Sequence, residues 1–300
     1  MQTEGLLWGS NQINENKTIM LSYYIVDAFT DRPFGGNTAG VVLLGEDGFP
    51  AEELMQSVAA ELRYSETAFV RRLAENEYHL RYFTPCGEVE LCGHATVATF
   101  ALLHHVGLAN GTWRYRTLAA DLEILADDEV LMQMATPRIV RRMTDEEAAE
   151  AYHTVGLDGY QPVLPVVISY AGLPDIMLPV PSEQLDSMHP DMDAIATLTN
   201  RIKAISIHAY ALCDRDRITA RVRDFAPACG VPEESATGTA NAALAHTLRE
   251  FGVVAPDATC RFLQGEAMGR PSIVMAQLSA DGQVRIGGHA TLVAQGSIII

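Results

Sequence analysis

The sequence lacks the features of several protein classes. It has no cluster of Lys and Arg: 21 basic residues stand against 38 acidic ones, and the formal net charge is −17. Because proteins neutralise the phosphates of nucleic acids and anionic lipids with grouped basic side chains, we expect neither partner. No run of about 18 apolar residues occurs, so we predict no transmembrane helix.

Motifs for metals and nucleotide cofactors are also missing. The five cysteines are odd in number, irregularly spaced and without a CxxC pair, which argues against a zinc site and favours reduced thiols. Gly35 and Gly36 do not form a dinucleotide fingerprint. His104 and His105 have no suitably spaced carboxylate beside them. We therefore expect no metal and no organic cofactor.

The composition is otherwise that of a globular protein, with 48% hydrophobic and 20% charged residues in 300. This length suits one large or two medium domains. Residues 1–19 are polar and lack the apolar segment of a secretory signal, so we interpret them as a flexible leader, with Met20 as a candidate natural start. Without an export signal, the expected location is the cytoplasm.

Secondary-structure patterns occur twice along the chain. The first half predicts four strands and two helices: strands at Tyr23–Phe29, Ala39–Leu44, Thr67–Val70 and Tyr78–Phe83, and helices at about 50–63 and 93–107. The second half predicts three strands and two helices: strands at Val166–Tyr170, Asp175–Val180 and Ile205–Leu212, and helices at about 190–200 and 238–252.

The two apolar helices resemble each other at a fixed offset. A shift of 145 residues carries Gly93 onto Gly238 and Gly107 onto Gly252. Chance placement of helix-capping glycines is the alternative explanation. We predict two similar lobes, 20–136 and 137–290, with the tail 291–300 returning to the first.

Three segments carry candidate chemistry. Glu66 follows a predicted helix and precedes an apolar strand, where a carboxylate makes a good general base near neutral pH, although Glu66 taken alone is more often an ordinary turn residue. Cys92, Gly93 and His94 open a helix whose first N–H groups can hold an anion. Glu234 and Thr237-Gly238-Thr239 repeat this arrangement in the second half, with hydroxyl and amide donors.

These segments resemble the PhzF-like (phenazine-biosynthesis-like) family in both content and order. The matching motifs are Asp27-Ala-Phe-Thr with Phe34-Gly-Gly-Asn37, Ser65-Glu-Thr-Ala-Phe69, Phe83-Thr-Pro85, Leu91-Cys-Gly-His-Ala-Thr96, Phe225-Ala-Pro227, Thr237-Gly-Thr239 and Gln264-Gly-Glu-Ala-Met-Gly-Arg-Pro-Ser272. The match spans roughly residues 23 to 290.

The resemblance implies an α+β fold of diaminopimelate epimerase type. Its two pseudo-symmetric lobes would each wrap a curved, mostly antiparallel sheet around a central helix, with isomerase chemistry in the cleft between them. It implies Glu66, His94 and Glu234 as catalytic residues. Substrate-binding residues would be Asn37, Gly93, Thr237, Gly238 and Thr239.

One departure from the family pattern affects the substrate more than the fold. The family's Glu-Asp-Pro-x-Thr-Gly-Ser becomes Glu233-Glu234-Ser235-Ala236-Thr237-Gly238-Thr239 here. Related racemases carry catalytic cysteines at the positions of Cys92 and Ser235. Of these two positions, only Cys92 carries a thiol in this chain, so a two-thiol racemase mechanism is not expected.

Three functions are compatible with these residues. The first is a cofactor-independent isomerase in which Glu66 moves a proton on a small carboxylate. The second is a racemase, epimerase or dehydratase that uses Cys92 with Ser235 or Glu234. The third is a non-catalytic protein that binds small anions. A carboxylate metabolite is the expected partner in each case, and a homodimer is an open alternative.

Overall fold

The computed structural model describes residues 20–45, 48–213 and 217–300. The leader predicted for residues 1–19 lies outside these ranges. The described chain up to Met132, together with Gly288–Ile300, forms one compact unit, and Gln133–Gly287 forms the other. The sequence predicted a division after 136 and a return of the chain from 291.

The first unit contains eight strands and two helices, and a ninth strand runs across its boundary. They are β1 (Met20–Ala28), β2 (Asn37–Leu43), α1 (Glu52–Leu62), β3 (Thr67–Ala74), β4 (Glu77–Phe83), β5 (Glu88–Val89), α2 (Gly93–His105), β6 (Gly111–Arg116), β7 (Asp121–Ala126), β8 (Val130–Gln133) at the boundary, and β18 (Ala290–Ile299).

The second unit has nine strands and three helices. They are β9 (Arg138–Arg142), α3 (Asp145–Thr154), β10 (Val167–Tyr170), β11 (Pro174–Pro179), α4 (Met192–Ile202), β12 (Ser206–Leu212), β13 (Ala220–Ala226), β14 (Val231–Glu234), α5 (Gly238–Glu250), β15 (Thr259–Gln264), β16 (Ser272–Leu278) and β17 (Val284–Gly288).

Both units have the same strand order. In the first, the neighbours run β18-β1-β2-β3-β4-β6-β7-β8, and in the second β9-β10-β11-β12-β13-β15-β16-β17. In each series the pairings are antiparallel, antiparallel, parallel, antiparallel, parallel, antiparallel and antiparallel. Chance capping glycines would not produce this match, so the offset of 145 marks a structural repeat. The predicted fold class is confirmed.

A buried helix lies against the sheet in each unit. Helix α2 packs against β1, β2, β3, β7 and β18. Nine of its thirteen residues are buried, because its sequence is apolar around most of its circumference. Helix α5 takes the same place in the second unit and packs against β9, β10, β11 and β16.

A second helix in each unit connects the parallel strands. Helix α1 joins β2 to β3 and packs Met55, Val58 and Ala59 against apolar side chains of the sheet. Strand β2 is buried along almost its whole length, as expected for a strand with helices on both faces. Helix α4 makes the equivalent connection between β11 and β12.

Helix α3 has no counterpart among the described residues of the first unit, and the sequence interpretation missed it. Its start is a capping box: the Thr144 hydroxyl accepts from the Glu147 N–H, and the Glu147 carboxylate accepts from the Thr144 N–H. The pattern Thr-x-x-Glu before a helix is readable from sequence. None of the helices in the described ranges is long and apolar enough to cross a bilayer.

Candidate functional site

Glu66 is fixed in the turn between α1 and β3. Helix α1 ends at Arg63 in a left-handed conformation, and the chain then enters β3 through Ser65 and Glu66. The Glu66 carbonyl accepts from the Gly40 N–H at 3.1 Å. A Cβ at Gly40 would lie 2.8 Å from the Thr67 hydroxyl oxygen, so glycine permits this close approach of β2 to the start of β3.

Cys92 is the N-cap residue of α2, and its backbone carbonyl is held by hydrogen bonds from within the helix. Its carbonyl accepts from both the Thr96 N–H at 3.0 Å and the Thr96 hydroxyl at 2.7 Å. Since the Thr96 proton is used in this way, the buried Tyr82 hydroxyl, 2.6 Å away, must be the donor to Thr96. This chain of donors sets the position at which Gly93 and His94 begin the helix.

His94 brings the first unit's candidate residues together. Its Nδ1 lies 3.4 Å from Cys92 Sγ. Its Nε2 lies 3.3 Å from the Ser65 hydroxyl and 3.3 Å from Glu66 Oε2. Cys92 and His94 are buried, and Glu66 is one-fifth exposed. The carboxylate is therefore the member of the cluster that a molecule from solvent reaches most easily.

The surroundings of His94 determine its protonation. Burial lowers the pKa of His94, and the Glu66 charge opposes that effect only in part, so the ring is neutral near pH 7. A neutral ring carries one proton, and the nearby carboxylate favours placing it on Nε2. Nδ1 then accepts from the Cys92 thiol. The cluster thus runs from thiol through imidazole to carboxylate.

Asn37 begins β2 at the end of a tight loop. The Asp27 carboxylate accepts from the Phe34 N–H at 2.8 Å and from the Thr38 hydroxyl at 2.5 Å, so it holds both ends of this loop. Gly36 has a φ of +62°, and a Cβ there would lie 2.0 Å from the Ala28 carbonyl oxygen. Asn37 is buried and opposite Ala28 in the sheet.

In the second unit, the start of α5 groups Glu234 with Thr237. Thr237 is the N-cap residue, and Gly238 and Thr239 are the first two residues of the helix. The first intrahelical bond runs from the Asn241 N–H to the Thr237 carbonyl. The three preceding N–H groups have no intrahelical acceptor. Ser235 is buried, and its carbonyl accepts from the Ser272 hydroxyl at 2.6 Å.

The Thr237 hydroxyl is engaged within the protein. Its oxygen lies 2.9 Å from Asp224 Oδ2 and 3.3 Å from Glu234 Oε2, and it accepts from Gln264 Nε2 at 3.0 Å. A hydroxyl has a single proton, and the shorter contact directs it to Asp224. The predicted role of Thr237 as a hydroxyl donor to substrate stays a prediction. Its hydrogen bonds join it to Asp224 and Gln264.

A buried network continues from Asp224 into the core. Asp224 Oδ1 accepts from the Ser206 hydroxyl at 2.8 Å and lies 3.0 Å from His208 Nδ1. His208 Nε2 lies 3.3 Å from Asn241 Oδ1. The amide group of Asn241 cannot be reversed, because its nitrogen donates to the Thr237 carbonyl and to Gln264 Oε1.

Both ring nitrogens of His208 lie next to oxygen atoms. Nδ1 faces a carboxylate and Nε2 faces an amide oxygen, and both of these atoms accept. His208 and Asp224 form a close pair with almost no solvent exposure. This pair fixes Asp224, which in turn accepts from Thr237 at the start of α5.

Asp175 borders the same pair. It is buried, its Oδ1 lies 2.9 Å from the Ser206 hydroxyl oxygen, and its Oδ2 has no hydrogen-bond partner within the described residues. Burial, and next the charge of Asp224, raise the pKa of Asp175 from 3.8 to about 7. The folded protein therefore holds a proton on Asp175 at pH values where the unfolded chain has lost it.

We expect this proton to make stability depend on pH. The stabilisation is complete below about pH 4 and is lost as the pH rises towards 7, because the folded-state pKa of Asp175 is the higher one. Each pH unit inside that window changes the free energy of unfolding by up to about 1.4 kcal/mol. Asp175→Asn should remove this component, so its stability should improve relative to wild type between pH 5 and pH 7.

Urea unfolding of both proteins at the two pH values measures the effect. Asp186→Asn is the control, since Asp186 is an exposed partner of Arg221. A difference between wild type and Asp175→Asn that does not change with pH would contradict the assignment.

The sequence identified part of this arrangement. It predicted Glu66, Cys92 and His94, which the fold brings together, and it predicted Glu234 and Thr237, which also lie in contact. It missed the polar network below α5, which consists of Asp175, Ser206, His208, Asp224, Asn241 and Gln264. A single histidine within the apolar strand β12 was the one visible signal.

The chain as a whole is similar to known proteins in sequence and in fold. Residues 26–296 match the family model described as phenazine biosynthesis-like protein. An uncharacterized isomerase of Deinococcus radiodurans is 35% identical, with 92% of this chain and 94% of that protein covered. The trans-2,3-dihydro-3-hydroxyanthranilate isomerase of Pseudomonas fluorescens is 28% identical, with 94% and 100% covered.

A solved structure agrees with the family match. The crystal structure of the Bacillus anthracis phenazine biosynthesis protein of the PhzF family superposes with a TM-score of 0.81 at 26% identity. The superposition covers 94% of this chain and 99% of that one.

Proposed function

Because the chain belongs to the phenazine biosynthesis-like family and is an isomerase, we propose that it moves a proton between two positions of a small carboxylate metabolite without a cofactor. The observation that carries this proposal is the cluster of Glu66, His94 and Cys92, which links a partly exposed carboxylate to a neutral imidazole and a thiol. Such a cluster supplies a base, a donor and a second proton reservoir within a few ångströms of one another.

The proposed reaction needs no oxidant and no leaving group. Glu66 accepts a proton from the carbon next to the substrate carboxylate, and the electron pair delocalises towards that carboxylate. The His94 Nε2–H and the first N–H groups of α2 stabilise the developing charge. In a substrate with a carbon–carbon double bond next to that carbon, the electron pair also reaches the far end of the double bond. Glu66 then returns the proton to that far carbon, the double bond shifts by one position, and the isomerisation is complete.

Gly93 supports a carboxylate site at the start of α2. It lies outside the left-handed region, and a Cβ there would have Met132 Sδ, at 3.9 Å, as its nearest neighbour. Packing of the described residues therefore does not require glycine at this position. A close approach of substrate to the backbone would require it.

We expect Gly93→Ala to weaken substrate binding without loss of stability. The added methyl group should reduce affinity by about tenfold or more, equivalent to about 1.4 kcal/mol, because it occupies the space next to the N–H groups. Thermal unfolding and a binding titration measure the two effects. Gly87→Ala is the matched control, since a Cβ there has no neighbour within 4 Å. Unchanged affinity in Gly93→Ala would contradict the site.

We propose Gly238 and Thr239 as a second group of backbone donors, with Glu234 as an acid or a positioning group. The expectation that the helix starts at Gly93 and Gly238 face one cleft stays a prediction, as does the homodimer.

One experiment tests the proposed function directly. The protein is incubated in heavy water with a panel of small hydroxy, amino and aromatic carboxylates, including the substrate class named for the Pseudomonas fluorescens relative. NMR spectra should show one compound that isomerises and gains deuterium at the new position. A base that returns its proton before exchange would give the isomer without deuterium. If no compound isomerises or gains deuterium, the proposal fails for these substrate classes.

Racemisation is the second candidate, and the contact between Cys92 Sγ and His94 Nδ1 favours it. A thiol beside an imidazole can act as a general acid or base at one stereocentre. Deuterium exchange with inversion at one carbon, abolished in Cys92→Ser, would support this alternative. Isomerisation that survives in Cys92→Ser would support the first.

A further inference from the structure

We propose that Cys92, His94 and Glu66 form a binding site for a transition-metal ion of the zinc type, and that such an ion inhibits the enzyme reversibly. The metal-binding part stands on geometry alone. The inhibition part rests on the proposed function, because it requires Glu66 and His94 to be needed for turnover.

The distance between the thiol and the imidazole fits a shared metal ion. Zinc bonds to cysteine sulfur at about 2.3 Å and to histidine nitrogen at about 2.0–2.1 Å. A tetrahedral angle between these bonds places the two ligand atoms about 3.5 Å apart. The observed distance from Cys92 Sγ to His94 Nδ1 is 3.4 Å. The ion would therefore take the place of the proton that these two atoms now share.

Glu66 supplies the third ligand. One ligand atom from each of the three residues lies within 4.8 Å of the others. Since Glu66 is one-fifth exposed while the other two residues are buried, its carboxylate is the ligand that moves onto the ion. A water molecule would complete the four-coordinate shell.

Ser65 provides the supporting contact that such sites need. A histidine that binds a metal through one nitrogen normally hydrogen bonds through the other, which fixes the ring. The Ser65 hydroxyl lies 3.3 Å from His94 Nε2. When Glu66 turns towards the metal, Ser65 remains as the acceptor for the Nε2 proton.

The donor set selects the class of ion. Thiolate and imidazole prefer zinc and related transition metals, whereas magnesium and calcium prefer oxygen ligands. Binding exchanges the thiol proton for a sulfur–metal bond and releases that proton to solvent, with no change in oxidation state. The bound ion would be coordinated by Glu66, the proposed base, and by His94, so that neither side chain could take part in proton transfer.

Cobalt(II) tests the site, because a thiolate ligand gives it a charge-transfer band in the near ultraviolet. The parent protein for this titration carries Cys86→Ser, Cys213→Ser and Cys229→Ser. Of the two remaining thiols, Cys260 is buried, and burial raises the pKa of Cys260 to about 11. We expect one cobalt ion per chain, with the band present. Zinc should displace the cobalt, and magnesium should not.

Variants of the parent assign the ligands. Cys92→Ser should abolish the band, and His94→Gln should lower cobalt affinity by at least about tenfold, as expected for a lost metal contact. His105→Gln, an exposed histidine near the end of the same helix, is the matched control and should leave affinity unchanged. Circular dichroism checks that each variant is folded.

A second measurement does not depend on any variant of the ligands. Zinc X-ray absorption of the parent, loaded with one equivalent, should show one sulfur neighbour at about 2.3 Å together with nitrogen or oxygen neighbours. A parent without the cobalt band, a band that persists in Cys92→Ser, or a zinc shell without sulfur would overturn the site. No substrate is used in any of these measurements. A protein that binds cobalt but isomerises nothing would therefore refute the proposed function and leave the metal site intact.

Discussion

Glu66→Gln should lower turnover by at least about two orders of magnitude while substrate binding is largely retained. The amide has nearly the same shape as the carboxylate but cannot accept the proton, and general-base catalysis typically contributes about 10²–10⁴-fold. Steady-state kinetics with a substrate from the carboxylate panel, together with a binding titration, would separate the two effects.

The nearby exposed residue Glu61 provides the control. Glu61→Gln removes the same charge near the end of α1 and should leave turnover at the wild-type level. If Glu66→Gln turns over at the wild-type rate, Glu66 is not the base. The role would then pass to Cys92 or Glu234.

Asp224→Asn should destabilise the second unit by about 3–5 kcal/mol, the range measured when one partner of a buried ion pair is removed. Asp224 is almost fully buried and accepts from Ser206, His208 and Thr237. The asparagine would deprive the buried His208 and the Ser206 hydroxyl of their carboxylate partner. Urea unfolding followed by circular dichroism measures the loss.

An exposed pair of the same chemical type gives a matched comparison. His153 Nδ1 lies 2.8 Å from Asp158 Oδ1, and both side chains are about 70% exposed. Asp158→Asn should therefore cost at most about 1 kcal/mol, because water screens exposed pairs. If the two substitutions lower the free energy of unfolding by the same amount, burial of the Asp224–His208 pair does not contribute the expected stability.

The sequence predicted the parts of the fold that depend on local patterns. The apolar helices α2 and α5 and strands such as β1 and β12 have regular burial patterns, and the glycines at 93 and 238 mark where the helices begin. Residues Glu66, Cys92 and His94 were predicted because they stand in short motifs. The distance from Glu66 to His94 depends on how α2 packs against β2 and β3, which no local pattern determines.

The network around Asp224 shows why the rest could not be predicted. Its members come from five separate elements: β11, β12, β13, α5 and β15. Their hydrogen bonds depend on how these elements pair in the sheet, and their spacing in the sequence has no regularity. Thr237 was predicted as a donor to substrate from its place at a helix start. Its contact with Asp224 became visible only once β13 and α5 were placed together.

The pairing of β1 with β18 has a consequence for how the protein is made. Strand β1 needs a partner that lies far along the chain, since Ser22 pairs with Ser297. The first unit therefore cannot complete its sheet until β18 has left the ribosome, and β1 exposes an unpaired edge until then. The second unit is continuous in sequence and faces no such delay. Because the chain is made from its N-terminus onwards, the second unit can complete its sheet before the first unit does. This holds although most residues of the first unit leave the ribosome earlier.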